Sequence, residues 1–353
     1  MDPLLQEITP LCKIYDKYVK KTEEIDLFIK TAQEQKDFVE NVDVKEEYKG
    51  YILGLRELSN SVVLYNAAII SIYGSYELFI DEILKTYIDY LKNRYDTYEK
   101  FPAKLKTKHL SKAAEFLSNP QRFQNMGLNE RTIISALEAS YIQDQSSVLL
   151  DELLLTHGGN LNSKQLCALL GEYGFKNSIQ QLMKHSSFGQ FFNIAKHNDS
   201  DNNTTFPLLD QIVVERNKVG HGWIIDERIS FALLRERYLP FINELCCAVK
   251  DLFVSQIIQN HIDKKNLVKF DPLLHIWKNG EVIGVNSKNF RLRINEFLYC
   301  STSENWNYKV QIKNLKNNEQ DRKEIRAANK DITIQIDRKI KDNYVLWGYV
   351  KDS

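Results

Sequence analysis

Apolar residues recur every three or four positions along most of the chain, and then, over its last quarter, at every second position. Residues 4–47 carry Leu4, Ile8, Leu11, Tyr18, Ile25 and Ile29 on a background of lysine and glutamate, the spacing of one or two amphipathic surface helices. A stronger pattern covers 51–95, where Leu64, Ala68, Ile72, Tyr76, Ile80, Leu84, Tyr87 and Leu91 step by threes and fours. It predicts a long helix or helix pair as the spine of a domain. Phe101-Pro102 breaks it, because a proline restricts the residue before it. Helices are predicted near 129–141, 145–156, 163–172 and 176–184, punctuated by Asn119-Pro120, Gly127, Gly158-Gly159 and Gly174, and followed by a polar cluster at 197–203. Thr204-Thr205 offers an N-cap with Pro207 in the first turn. The helix that begins there carries Leu209, Ile212 and Val213 and should stop at Gly222, which suits a left-handed C-cap. One more amphipathic helix is expected over 229–262.

After Lys264-Lys265 the period becomes two. β-branched and aromatic segments near 273–277, 281–285, 308–312, 332–336 and 344–350 predict strands, and Asn279-Gly280 is a strong hairpin signal. The expected fold class is mainly α with a small C-terminal all-β domain. Amphipathic helices occupy 1–49, a helical domain 50–264, and a small β-barrel or sandwich 268–353.

Composition narrows the functional classes. With 353 residues the chain can hold two modest domains, each large enough to bury its own core. Basic and acidic residues tie at 47 each, so no global field steers it toward a polyanion. The tie hides an asymmetry, because residues 266–353 hold 16 basic against 11 acidic side chains. Five cysteines are scattered without a Cys-x-x-Cys pair, which points away from a disulfide framework or zinc knuckle and toward a reducing compartment. The start lacks the pattern of a signal peptide, and the apolar run over 62–72 is interrupted by Asn66 and Ser71. The expectation is a cytoplasmic protein with no membrane segment.

The segment with chemistry is Glu215-Arg216-Asn217-Lys218-Val219-Gly220-His221-Gly222. Asn217 and His221 are four apart and share one helical face, about 5 to 6 Å between Cβ atoms. Arg216 lies about 100° round from Asn217 and can bend across that face. Lys218 is close by. A permanent cation, an amide and an imidazole suit phosphodiester cleavage by a ribose 2′-hydroxyl. The cation meets the developing phosphorane and the imidazole supplies a proton to the leaving 5′-oxygen. His221 falls in the last helical turn, where the negative end of the dipole favours imidazolium. The products would be a 2′,3′-cyclic phosphate and a 5′-hydroxyl, and neither metal nor cofactor is expected. Spacing alone fits a second reading equally, in which Arg216 pairs with Glu215 or Glu236 and His221 caps the helix.

The same segment is similar to the Arg-x(4–6)-His signature of HEPN ribonucleases, including the Asn after the Arg and the glycine after the His. Upstream, Ile72-Tyr73-Gly74-Ser75-Tyr76-Glu77-Leu78-Phe79 resembles the aromatic-x-x-x-Glu-x-Phe pattern of that family's first core helix. Gly159-Asn160-Leu161-Asn162-Ser163 is a weaker echo of the middle of such domains. The resemblance covers about 50–260. It implies a HEPN-like antiparallel helical bundle that pairs as a two-fold homodimer, with the segments of both copies lining one cleft. It also implies an RNA substrate and a toxin–antitoxin or anti-phage setting, with an antitoxin or an ATPase sensor as partner. Carried over, Arg216 stabilises the phosphate, Asn217 orients the phosphate or the His, His221 is acid or base, and Glu77 holds Arg216. The family also contains members that only bind partners or nucleotides, so a non-catalytic scaffold within a defence complex is the alternative.

Other chemistries rank lower. The remaining histidines form no zinc-spaced array, and no phosphate-binding glycine loop or Gly-x-Ser-x-Gly is present. Over 266–353, aromatic residues such as Trp306 interleave with Lys278, Arg291 and Arg293. That mixture suits either RNA stacking and phosphate contact or simply the core of a small sheet.

Overall fold

The computed structural model describes residues 2–41, 45–59, 62–121, 123, 127–145, 149–156, 159–186, 188, 206–222, 228–270, 273–287, 290–304, 306–326 and 330–349. Two compact units emerge, residues 13–248 and residues 1–12 with 249–353. Pattern alone divides the chain near 49 and again after Lys265, where the spacing of apolar residues changes. Contacts divide it inside two helices instead.

The helical unit is built around α3 (Val62–Arg94), preceded by α2 (Lys49–Ser59), so the 51–95 pattern is a helix pair. Its buried face repeats at helical spacing through Tyr65, Ile69, Ile72, Tyr76, Ile80 and Leu84. By length and composition α3 could cross a membrane, and 44% of its most apolar stretch is buried inside the fold.

The N-terminal pattern forms one helix, α1 (Pro3–Asn41). Within the helical unit it buries Tyr18, Ile25, Ile29, Ala32 and Val39. That three-and-four alternation keeps one narrow seam turned inward over a long helix. Polar ties fix its position: Lys17 to Glu82 at 2.5 Å, Tyr18 to Asn243 at 3.0 Å, and Arg235 to Asp26 at 2.8 Å.

The shorter helices are α4 (Ala103–Ser118), α5 (Glu130–Tyr141), α6 (Asp151–Leu155), α7 (Ser163–Glu172) and α8 (Ser178–Lys184). Asn129 and Asn162 cap α5 and α7 by accepting from backbone N–H groups three residues on, the usual way to satisfy orphan donors. Pro207 opens α9 (Pro207–Gly220), but the N-cap position is Phe206. Thr204, Thr205 and the 197–203 cluster lie outside the described residues. The last helix, α10 (Leu239–Asp263), follows a single α turn (Phe231–Leu233) and a π-helical turn (Leu234–Tyr238). Pro240 explains that irregularity, since it lacks the N–H that an α ladder would use.

The second unit is an antiparallel sheet ordered β1 (Val268–Lys269), β10 (Val345–Gly348), β5 (Phe297–Ser301), β6 (Asn307–Asn317), β9 (Asp331–Ile336), β3 (Val282–Asn286) and β2 (Leu273–Trp277). β7 (Gln320–Asp321) adds to β6, while β4 (Leu292–Arg293) and β8 (Glu324–Ile325) pair apart. Among the described residues β1 pairs only β10 and β2 only β3, so the strand order is open at both ends. A register shift between Ile312 and Asn314 bends β6, as bulges do. Gly280 closes the β2–β3 turn at φ +95°, and a Cβ there would lie 2.2 Å from the Ile340 carbonyl oxygen. Only glycine fits.

One buried polar group makes the helical unit sensitive to acid. His109 on α4 is fully enclosed, with Nδ1 3.1 Å from the Tyr98 hydroxyl. Burial, reinforced by Lys92, pushes its pKa down to about 4. In the unfolded chain the ring titrates near 6.5. His109 is therefore neutral in the fold, its contribution is complete above about pH 6.5, and it is lost as pH falls toward 4, about 2 kcal/mol by pH 5. Urea midpoints of the helical transition should drop between pH 7 and 5. An H109Q variant should show a shallower drop. Equal slopes for variant and parent would refute this.

Candidate active site

The site is built from α9 outward. Its first turn is anchored by Asp210, which accepts from the backbone N–H and the hydroxyl of Ser163 at 2.8 and 2.6 Å. Leu209, Ile212 and Val213 are buried, and so is Glu215 at 4% exposure. A buried carboxylate is costly unless bonded. Here it accepts from the Tyr65 hydroxyl of α3 at 2.7 Å and from Lys218 Nζ at 2.7 Å. Burial first, and the Glu215 carboxylate second, hold the Tyr65 phenol well above its ordinary range, so it stays a donor.

Arg216 and Asn217 come next, half-buried. The Arg216 guanidinium lies 5.4 Å from the centre of the Tyr73 ring, and its Nη1 is 3.4 Å from Asn217 Oδ1. Asn217 Oδ1 also accepts from Asn160 Nδ2. Tyr73 is held in turn: its hydroxyl accepts from the Leu161 backbone N–H at 2.8 Å and donates to Glu77 Oε1 at 3.1 Å. Burial pushes the Tyr73 phenol upward. The helix then ends as expected, with His221 at the C-cap, its N–H donating to the Asn217 carbonyl at 3.0 Å, and Gly222 at φ +66°. The His221 side chain is exposed.

The geometry gives Arg216 an unusual setting. Among the described residues its partners are a neutral aromatic ring and an amide oxygen, not a carboxylate. The two ion pairs that spacing allowed are absent there: Glu215 is taken by Tyr65 and Lys218. A cation held this way keeps its charge available. Asn217 directs its carbonyl toward Asn160 and Arg216, so among the described residues its Nδ2 has no acceptor. These are the donors that a phosphate needs, and the C-cap imidazole follows them on the same helix.

Lys218 is not part of this group; it neutralises Glu215. Among the described residues, Glu77 is linked to Arg216 through Tyr73. Sequence reasoning missed Tyr73, Asn160 and the Tyr65–Glu215 pair as contributors. Tyr73 and Glu77 are four apart on α3, and Asn160 lies in the Gly159–Ser163 stretch, so the signal for two of them was in the quoted patterns. Among the residues expected in the β unit, Arg291 and Arg293 are exposed and converge on Glu324 at 2.6 and 2.9 Å, and Lys278 is exposed at the β2–β3 turn. Trp306 departs from its expected role: it is 3% exposed and lies nearly parallel to the Tyr308 ring, so it offers no free face for a base.

Comparison with known proteins is specific. Residues 16–255, more than half of the chain, match the family model RiboL-PSP-HEPN. No curated protein and no solved structure matches. Those 240 residues include α3, the Gly159–Ser163 stretch and α9, the three segments that form the site. The chain is a member of the RiboL-PSP-HEPN family.

Proposed function

We propose that the chain is a metal-independent endoribonuclease effector that cleaves RNA by internal attack of the 2′-hydroxyl. Family membership supports an RNA-related role. The observation that carries the finer reading is Arg216 held against the Tyr73 ring with no carboxylate partner among the described residues, one helical turn before His221. In the reaction a base takes the 2′-hydroxyl proton, the P–O2′ bond forms and the P–O5′ bond breaks as O5′ is protonated. Arg216 and the Asn217 amide stabilise the charge that develops on the phosphorane oxygens. His221 is the proton-transfer group. A two-fold homodimer would bring two copies of His221 to one phosphate, one as base and one as acid. Exposed Ile70 and Leu78 on α3, at 52% and 55%, support such pairing, since apolar surface favours being covered. In this reading the protein is a toxin or anti-phage effector silenced by a partner.

R216A and H221A should each lower cleavage of a single-stranded RNA at least 100-fold in EDTA-containing buffer, with folding unchanged by circular dichroism. Products of the parent should carry 2′,3′-cyclic phosphate and 5′-hydroxyl ends, and the DNA of the same sequence should survive. Parent-like cleavage by both variants would sink the proposal, as would an inert parent. An inert parent that still bound a protein partner would favour the scaffold reading.

N160A probes a residue that only the structure brings in. Loss of its bond to Asn217 should reduce kcat by about tenfold, the cost of roughly one hydrogen bond, while KM moves little. A change confined to KM would assign Asn160 to substrate binding instead.

A further inference from the structure

The β unit carries a concentrated positive surface that the reaction above does not use. Arg291-Leu292-Arg293 and Glu324-Ile325-Arg326 alternate charged and apolar residues. Leu292 pairs with Ile325 and both are buried in the sheet's core, while Arg293 pairs with Glu324. The pleat therefore turns Arg291, Arg293, Glu324 and Arg326 to the outer side. Three guanidinium groups gather on a single carboxylate: Arg291 Nε at 2.6 Å, Arg293 Nε at 2.9 Å and Arg326 Nε at 3.7 Å from Glu324. One negative charge cannot neutralise three positive ones, so these four side chains carry an excess of two, next to the carboxylates of Asp2 and Glu296 on the wall of an adjoining cleft.

Its hydrogen-bonding capacity is also unspent. Arg291 and Arg293 each approach Glu324 through Nε. Among the described residues the terminal Nη groups of both meet no acceptor. Those groups are paired donors in a plane, the arrangement that matches two oxygens of a phosphate.

The cluster borders a cleft of about 690 Å³, with Arg291, Arg293, Asn295 and Phe297 along its wall, a volume typical of ligand sites. Two carboxylates also line it, Asp2 and Glu296. Asp2 is committed elsewhere: it caps the Leu4 N–H at 3.0 Å and accepts from the Tyr299 hydroxyl at 2.6 Å. Phe297 supplies an aromatic surface and has Lys309 Nζ 5.0 Å from its ring centre. Donor pairs for phosphate beside an aromatic ring are what a flexible polynucleotide strand requires.

We infer that the Arg291–Arg293–Arg326 cluster and its cleft form a second binding site, for the phosphate backbone of single-stranded RNA. The choice of RNA over another polyanion rests on the nuclease reading. The site lies outside the matched family region and contributes binding, with no part in bond cleavage.

The test uses the full chain carrying R216A, so that the probe is not consumed. The probe is a fluorescent oligouridylate of about 12 nucleotides. R326E changes only a side chain that is 85% exposed, and it cancels the excess charge without disturbing packing. Its affinity should fall about tenfold near 0.1 M salt, and the slope of log K against log salt should flatten by about 1.4, or 0.7 for each of two phosphates released. A triple R291K/R293K/R326K variant should keep most of the slope. Unchanged affinity and slope in R326E overturn the inference. So does displacement of the RNA by polyglutamate as readily as by unlabelled RNA, which would make an acidic protein the ligand. In the cleaving chain, R326E should raise KM and leave kcat at saturating RNA intact. A parent that cuts nothing while R326E weakens binding would reject the nuclease reading and keep this site. A parent that cuts while R326E binds as before would do the reverse.

Discussion

A single buried carboxylate sets the geometry on which the site depends. Glu215 faces into the helical unit, and its charge is tolerable only because Tyr65 and Lys218 both donate to it. Removing either would leave a desolvated anion short of partners, a loss of several kcal/mol when a buried pair is broken. The constraint is rotational as much as energetic. Successive helical residues turn by about 100°, so fixing Glu215 against α3 fixes where Arg216 and Asn217 must point. Arg216 then meets the Tyr73 ring, and Asn217 meets Asn160. The same helix-to-helix bond thus holds the fold and aims the chemistry.

Tyr73 connects two demands that usually conflict. An arginine needs a rigid partner to be positioned, and the strongest such partner is a carboxylate, which would also neutralise it. Here the carboxylate, Glu77, is moved one step back. It holds the Tyr73 hydroxyl, and the ring holds the guanidinium. The cation–ring contact is worth about 0.5 to 2 kcal/mol, enough to bias the side chain without cancelling its charge. The Leu161 N–H closes the arrangement by bonding the same hydroxyl. In the proposed reaction Tyr73 is therefore a positioning residue, acting through Arg216 on the phosphate.

Much of this was legible in the residues, and the limits are physical. Helical period revealed α3, α7 and α9, because each buries one face along its length, and α10, whose apolar residues at the same spacing are buried nearly all round. The left-handed end of α9 followed from Gly222, and the β2–β3 turn from Asn279-Gly280, since few residues tolerate those φ values. The N-cap of α9 did not follow. Thr204-Thr205 has the favoured side chains, yet the helix begins after Phe206, whose ring is buried, so packing outweighed capping preference. Short strands such as β4 and β8 were missed because two residues carry no period. Trp306 was misplaced for a related reason: an aromatic beside lysines reads the same whether its ring faces solvent or core. Tyr73 and Asn160 could not be assigned roles from spacing, because the first acts through space on a residue 143 positions later and the second through one amide contact.

The two arginine settings differ in a way that suits them to different work in the proposed function. Arg216 is single, half-buried, and aimed by a ring, so in the proposed reaction its stabilisation would grow as charge develops on the phosphate. An interaction that strengthens on the way to the transition state raises kcat. Arg291, Arg293 and Arg326 are exposed and share one carboxylate, so at the proposed second site they would meet ground-state and transition-state phosphates alike. Such uniform binding lowers KM and leaves the barrier from the bound state unchanged. It is also screened by salt, with a Debye length of about 8 to 10 Å under ordinary conditions, whereas a half-buried cation is screened less. A chain with no net charge can therefore still handle a polyanion, provided that its positive charge is local and each cluster has one of these two tasks.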